Sequence, residues 1–355
     1  YLSVILFSML LVLLVIPSII YVANQRLLFD DLESYRKDHK YGISRLGGVS
    51  IFCSVTITTL VFSRIGEFTM DSYLLTSAII LFAVGLKDDL CGVNPRTKFI
   101  MQFIIAGIMV TLSGVRINSL YGVFNIYELP FSLSVILSVV AIMFLVNSFN
   151  LIDGIDGLAA STGLLINLVL SLIFIAMGER EMACLSFAMV GASIAFLKYN
   201  LTPAKIFLGD TGSLLIGFIS VISVIKFVDL NHTLDAGDAV FAGSAPAFAV
   251  ALLIVPLFDT LRVFVLRLLN NGSPFVGDRN HIHHRLLRLG LSHLQATLLL
   301  VSVNLIILAG TFALRGSGNP VLIAGIFLFC LVFNGLLTML IRLKEGARYR
   351  FSGYL

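Results

Sequence analysis

The groups able to do chemistry in this 355-residue chain are concentrated in five short stretches of an otherwise apolar sequence. They are 87–90 (KDDL), 147–157 (NSFNLIDGIDG), 207–212 (FLGDTG), 277–287 (GDRNHIHHRLL) and the mixed-charge segment 32–48. Together they offer carboxylates, amides, imidazoles and lysines, a set suited to an enzyme acting on an anionic, metal-bound substrate.

Asp88 and Asp89 close an apolar run. An Asp inside a membrane span costs about 2.5–3.5 kcal/mol, so adjacent acids at its end must face water, a cation or a site. Solvation of a helix end is the plain reading. Lys98, ten residues on, can pair with them or with a phosphate. Asn147, Asn150, Asp153 and Asp156 recur every three residues, which on a helix makes one polar stripe. Gly154 and Gly157 follow the acids and let backbone approach a ligand, although a turn capping the next helix would also use them. The spacing does not fit an EF-hand loop. Asp210 is either the N-cap of the helix starting there or a carboxylate ligand for Mg²⁺, which takes a few carboxylates plus substrate phosphate oxygens. His281, His283 and His284 form HxHH ahead of Arg285 and Arg288. Adjacent imidazoles suit a tetrahedral zinc poorly and no Cys is near. Donors to a pyrophosphate or sugar fit better. Asp259 lies in an apolar stretch with Arg262 at i+3, where a structural ion pair is expected ahead of a catalytic role.

These groups need a scaffold, and composition defines it. The chain is 58% hydrophobic and 12% charged, with a mean hydropathy of +1.00. Soluble domains carry about 25% charged residues. About 20 apolar residues cross a bilayer core, and eleven stretches are expected to do so: 2–23, 47–63, 72–87, 99–114, 131–149, 159–177, 182–198, 212–228, 245–268, 297–314 and 320–342. The expected fold is therefore all-α, a polytopic helical bundle without an internal linker, one domain over 1–355. The first stretch lacks a small-residue cleavage site and reads as a span rather than a signal peptide.

Loops after odd-numbered spans hold all but five of the 24 Lys and Arg. The exceptions are Arg64, Arg116, Arg180, Lys226 and Arg315. Short basic loops stay cytoplasmic, which puts the N-terminus outside, the C-terminus inside, and all five polar stretches on the cytoplasmic face. The net charge of +4 is small and dispersed, so no nucleic-acid partner is expected. The four Cys are scattered without metal or disulfide spacing. A transporter would place ionisable groups at mid-bilayer with access to both sides. A metal-dependent lipid phosphatase would not need the histidine stretch.

In order along the chain, RLGG (45–48), DDL (88–90), NxxNxxDGIDGL (147–158), FLGDTGS (207–213) and HIHHRLL (281–287) are similar to the motifs of the polyprenyl-phosphate N-acetylhexosamine-1-phosphate transferases. That family makes lipid I of peptidoglycan and starts O-antigen, enterobacterial common antigen and teichoic acid linkage units. HIHHRL resembles the branch using simple UDP-N-acetylhexosamine donors. The lipid I branch carries three consecutive histidines after a Pro and a Thr-Pro before its glycine pair, where this chain has Ser44, Arg45 and Leu46.

The resemblance implies transfer of a sugar-1-phosphate, most commonly GlcNAc-1-phosphate, from a UDP-sugar to undecaprenyl phosphate, with UMP leaving. It implies Mg²⁺ (or Mn²⁺) on Asp210 with Asn150 as second contact. Asp88 and Asp89 would hold or deprotonate the lipid phosphate, with Lys98 on its charge. Asp153 and Asp156 would order the nucleotide-side loop, and Asn147 would contact substrate. His281, His283, His284 and Arg285 would grip the pyrophosphate and sugar. Lys40 and Arg45 would stand at the lipid entrance. It further implies a multi-pass protein of the bacterial cytoplasmic membrane, surrounded by membrane lipids and compatible with a homodimer.

Overall fold

The computed structural model describes residues 1–28, 42–62, 70–233, 241, 243–270 and 280–352. Lys40, most of the first mixed-charge segment, and residues 277–279 of the histidine stretch lie outside these. The described chain is mostly helical, and its only strands form one hairpin. In order it forms α1 (Leu2–Arg26), α2 (Gly47–Phe62), α3 (Met70–Cys91), α4 (Pro95–Gly107), α5 (Phe131–Ile152), α6 (Leu158–Ala176), α7 (Arg180–Asn200), α8 (Gly209–Thr233), α9 (Ala245–Leu252), α10 (Ile254–Leu269), α11 (Ile282–Arg288), α12 (His293–Ala313) and α13 (Asn319–Ser352). A π-helical turn, Ile108–Leu112, extends α4. Strands β1 (Ser119–Val123) and β2 (Ile126–Glu128) pair antiparallel between α4 and α5.

Every expected apolar stretch falls on a helix. Among the described residues, eight helices are long and apolar enough to cross a membrane, or nine if α9 and α10 form one bent span. The α2 helix is shorter, at 16 residues. The stretch expected as a single span over 245–268 is broken at Leu253, where α9 and α10 diverge by 76°. Pro256 sits in the first turn of α10, where its missing N–H costs no helical hydrogen bond. The hairpin was not expected from the sequence.

Helices α7 and α8 form the centre, each about four-fifths buried, while α1 and α13 are peripheral. With no water to satisfy polar groups between spans, some of them pair across helices. Ser8 and Ser54 bridge α1 and α2 at 2.8 Å, and Asn167 of α6 donates to Ser220 of α8 at 2.8 Å. Helix starts are capped locally: Asn94 accepts from Arg96 N–H ahead of α4, and Ser292 and Gln295 form a capping box on α12.

Three helix ends converge at the start of α8. Gly47 and Gly48 donate their N–H groups to Phe207 and Leu208 carbonyls at 3.0 and 2.9 Å, and Phe207 N–H returns to Ser44 O at 2.8 Å. A methyl group at Gly48 would overlap the backbone of Thr211 and Gly212, and one at Gly85 would lie 2.6 Å from Thr211 Cα. RLGG is therefore a packing motif that lets α2 meet α8 backbone to backbone, as Gly85 does for α3. Gly48→Ala should destabilise the protein by about 1–3 kcal/mol through overpacking, read as a lower Tm in detergent. Gly310→Ala, whose position opens onto free space, should leave Tm unchanged or raise it, and equal losses at both positions would contradict this packing.

Candidate active site

The α8 N-terminus leaves backbone N–H groups without helical partners. Asp89, at the end of α3, supplies them. Its Oδ1 accepts from Asp210 N–H at 2.8 Å, and its Oδ2 accepts from Thr211 N–H at 2.9 Å and from the Thr211 hydroxyl. A carboxylate here also complements the positive end of the helix dipole. Gly209 has φ +71°, and a side chain there would come within 2.7 Å of the Asp89 carboxylate and overlap Arg45 O. Asp89 is thus the cap of α8, contributed from another helix. Asp210 is the second residue of α8 and does not cap it. The two adjacent acids differ in their partners: Asp89 takes the start of α8, while Asp88 takes Val93 N–H on Oδ1 and Lys98 on Oδ2.

Asp88 Oδ2 lies 2.6 Å from Lys98 Nζ, and the same ammonium donates to Asp210 Oδ2. Asn150, in the last turn of α5, donates to Asp210 Oδ2 at 3.2 Å and accepts from the Ser213 hydroxyl at 3.1 Å. One ammonium thus balances two carboxylates drawn from α3 and α8. The oxygens of Asp88 and Asp210 are hard donors that could hold a divalent cation where Lys98 now supplies positive charge, while Asn150 turns its NH₂ to Asp210 and its oxygen to Ser213. Among the described residues no three His, Cys, Asp or Glu side chains form a metal cluster. Mg²⁺ is compatible with that, because it keeps waters and substrate phosphate oxygens among its ligands.

The loop after α5 closes over this cluster. Removal from water, then the charges of Asp210, Asp89 and Asp156, push the Asp153 carboxyl well above the usual range, and Arg45 pulls it the other way. Asp156 lies 3.3 Å from His293 Nδ1 and accepts from the Thr202 hydroxyl at 3.3 Å, tying the loop to the start of α12 and to the turn after α7. Gly157 N–H donates to Asn200 Oδ1 at 2.9 Å.

The histidine stretch packs on the same loop, and its members separate. His283 is 1% exposed, and its ring fills the space that a side chain at Gly154 would need. Among the described residues neither ring nitrogen has a hydrogen-bond partner, Nδ1 lying 3.9 Å from Asp259 Oδ2, and burial pushes the imidazole down to about 3. His281 donates from Nδ1 to Asp259 Oδ2 at 3.0 Å. The Arg285 guanidinium, expected on the substrate, is instead taken up by Asn334 and Thr338 of α13. Lys344 of α13 caps the α11 C-terminus through Leu289 O at 2.8 Å. Asp259 does pair with Arg262, at 3.3 Å. Its bond to His281 was missed by sequence reasoning, although an acid in an apolar helix signalled that more than one partner was needed.

A cleft of about 330 Å³ opens beside the cluster between α4, α5 and α10. Phe99, Val140, Met143, Phe144, Leu151, Val263 and Phe264 make its walls apolar, and Asn147, Thr260, Arg267 and His281 supply its polar groups. Asn147 and Asn150, one turn apart on α5, therefore serve the cleft and the carboxylate cluster respectively.

Residues 72–228, which span α3 to α8, match the family described as Glycosyl transferase family 4. The chain is 31% identical over 312 residues to a probable undecaprenyl-phosphate N-acetylglucosaminyl 1-phosphate transferase of Bacillus subtilis, covering 87% of this chain and 84% of that protein. It belongs to the polyprenyl-phosphate N-acetylhexosamine-1-phosphate transferase family. A decaprenyl-phosphate N-acetylglucosaminephosphotransferase of Mycolicibacterium smegmatis is 30% identical over 88% of this chain and 82% of its own length. An undecaprenyl-phosphate α-N-acetylglucosaminyl 1-phosphate transferase of Yersinia pestis is 29% identical over 76% and 72%. The region matched to the family contains Asp88, Asp89, Lys98, Asn147, Asn150, Asp153, Asp156 and Asp210, so this transferase fold carries the whole carboxylate cluster.

The burial of His283 has a pH consequence. An unfolded His titrates near 6.5, and the folded one at about 3. Its contribution to stability is complete above about pH 6.5 and falls by about 1.4 kcal/mol per pH unit as pH drops toward 3. Tm measured from pH 7 to 4 should decline in wild type and decline less in His283→Phe. Parallel curves would show that His283 is not the buried neutral group.

Proposed function

We propose that this chain transfers N-acetylhexosamine-1-phosphate, most directly GlcNAc-1-phosphate, from a UDP-sugar to undecaprenyl phosphate. The products are a polyprenyl-diphosphate sugar and UMP, the first membrane step of a cell-surface glycan. The observation that carries this reading is the junction of two environments. A carboxylate cluster balanced by Lys98 adjoins an apolar cleft whose polar groups include Asn147, Arg267 and His281. An acceptor with an apolar tail and a phosphate head needs both at once. The names of the relatives support the acceptor class and the sugar.

Both reactants are anions, so their approach requires cancelled charge. Lys98 does this for the acceptor phosphate. Asp210, Asn150 and Asp88 would hold Mg²⁺, which when bound neutralises the donor pyrophosphate. A phosphate monoester loses its second proton near pH 6, so the acceptor arrives largely deprotonated. Asp88 then positions Lys98 and the phosphate rather than serving as a strong base. Asp89 acts by holding the α8 N-terminus, and through it Asp210. Asn147 and His281 orient substrate at the cleft, while Asp153 and Asp156 hold the loop over the cluster. Counted over eleven spans, the Lys and Arg distribution supports an N-terminus outside and this site at the cytoplasmic face, and the bacterial relatives support the inner membrane as its location.

UMP release by purified protein tests the reading. With undecaprenyl phosphate, UDP-GlcNAc and Mg²⁺, wild type should form UMP only when lipid phosphate is present. EDTA should abolish release and added Mg²⁺ restore it. Lys98→Ala and Asp210→Ala should each lower kcat by about 100- to 1,000-fold, the scale for removing one preorganised electrostatic group. Inorganic phosphate in place of UMP would identify a phosphatase and overturn the transfer reaction.

A further inference from the structure

Asp259 is buried, 3% exposed, on the far side of the α9–α10 break. Both of its oxygens are used. Oδ1 accepts from Ile282 N–H at 2.9 Å and from Arg262 at 3.3 Å, and Oδ2 accepts from His281 Nδ1 at 3.0 Å. Arg262 also donates to Asn280 O, so the residue before His281 is strapped to the same point. An ionised carboxylate only accepts, so the His281 Nδ1 must carry the proton. Nε2 is left for the cleft that His281 lines with Asn147 and Arg267. His283, two residues on, has its Nδ1 3.9 Å from the same Asp259 Oδ2, beyond hydrogen-bond distance, and is packed against Gly154. HxHH is therefore not three equivalent ligands.

We infer that Asp259 is a positioning residue of the transferase: it fixes the tautomer and orientation of His281, so that His281 Nε2 is the imidazole nitrogen presented to the phosphate-bearing substrate in the cleft. A carboxylate holding the far nitrogen of a histidine fixes ring and tautomer in many sites. The Ile282 N–H makes the effect directional. With Asn at position 259, the amide oxygen is drawn to Ile282 N–H and the amide NH₂ is turned toward His281. That reverses the tautomer and places the proton on Nε2. The activity part of the inference rests on the reaction proposed above; the tautomer part does not.

The test uses the full chain in detergent, in two arms. In the first, protein labelled with ¹⁵N-histidine is compared with His281→Gln to assign the His281 signals. Wild type should show His281 protonated at Nδ1, and Asp259→Asn should shift it toward the Nε2–H form. A wild-type His281 protonated at Nε2 alone would overturn the inference whether or not the protein is active. In the second, UMP release is measured for Asp259→Asn, Asp259→Glu, His281→Gln and the Asp259→Asn/His281→Gln double variant. Loss of such a supporting group costs about 10- to 100-fold. The expected loss in Asp259→Asn is of that size, carried by the KM for UDP-GlcNAc or by kcat at unchanged lipid KM, with partial recovery in Asp259→Glu. The double variant should be no worse than His281→Gln, because Asp259 acts through that ring. Multiplied losses with a lowered Tm would make Asp259 a general fold residue instead. Wild-type activity with undiminished Asp259→Asn would overturn the positioning role alone, whereas an inactive wild type whose His281 is protonated at Nδ1 would overturn only the proposed reaction.

Discussion

The site depends on one carboxylate that meets backbone rather than substrate. Asp89 accepts the first free N–H groups of α8 and the Thr211 hydroxyl, and so fixes where α8 begins. A buried helix start without partners would be costly, so α8 cannot shift relative to α3 without losing this contact. The glycines of α2 and α3 reinforce it by removing every side chain that would separate the three backbones. The position of Asp210 is a consequence, because it is the next residue along a helix whose origin is pinned.

Charge balance builds on this frame. Asp88 and Asp210 come from helices 122 residues apart in the chain and share one ammonium, Lys98. Asn150 adds an amide from a fourth helix. None of these groups could remain charged in a bilayer core alone. They persist because they lie at helix ends and satisfy one another. The adjoining cleft is apolar because α4, α5 and α10 turn Phe, Met and Val toward it. A reaction between a lipid-borne phosphate and a water-borne sugar nucleotide needs that boundary.

The histidine helix shows how similar residues acquire different duties. It is only seven residues long and is held from both ends, by Asp259 and Arg262 of α10 at its start and by Asn334, Thr338 and Lys344 of α13 toward its finish. Between these anchors His283 becomes packing, Arg285 becomes a strut, and His281 reaches the cleft. The peripheral α13 thus contributes to the site through the helix it holds.

The sequence by itself determined the class of molecule and the inventory of its site. Apolar runs near the length of a bilayer crossing can only be helices, because a lone helix alone satisfies its backbone in lipid. Charged groups excluded from those runs collect at their ends, so Asp88, Asp89, Asn150, Asp153, Asp156, Asp210 and the histidines were legible as a set. What each one does was not. Asp88 and Asp89 are neighbours in sequence, yet face different partners because the end of α3 meets the start of α8, a contact between segments 121 residues apart. The break at Leu253, the hairpin, the turning of Arg285 to α13 and the bond from His281 to Asp259 belong to the same category. Periodicity reports which residues share a face of one helix; tertiary packing alone decides which face of another helix meets it, and the direction of each hydrogen bond follows from that meeting.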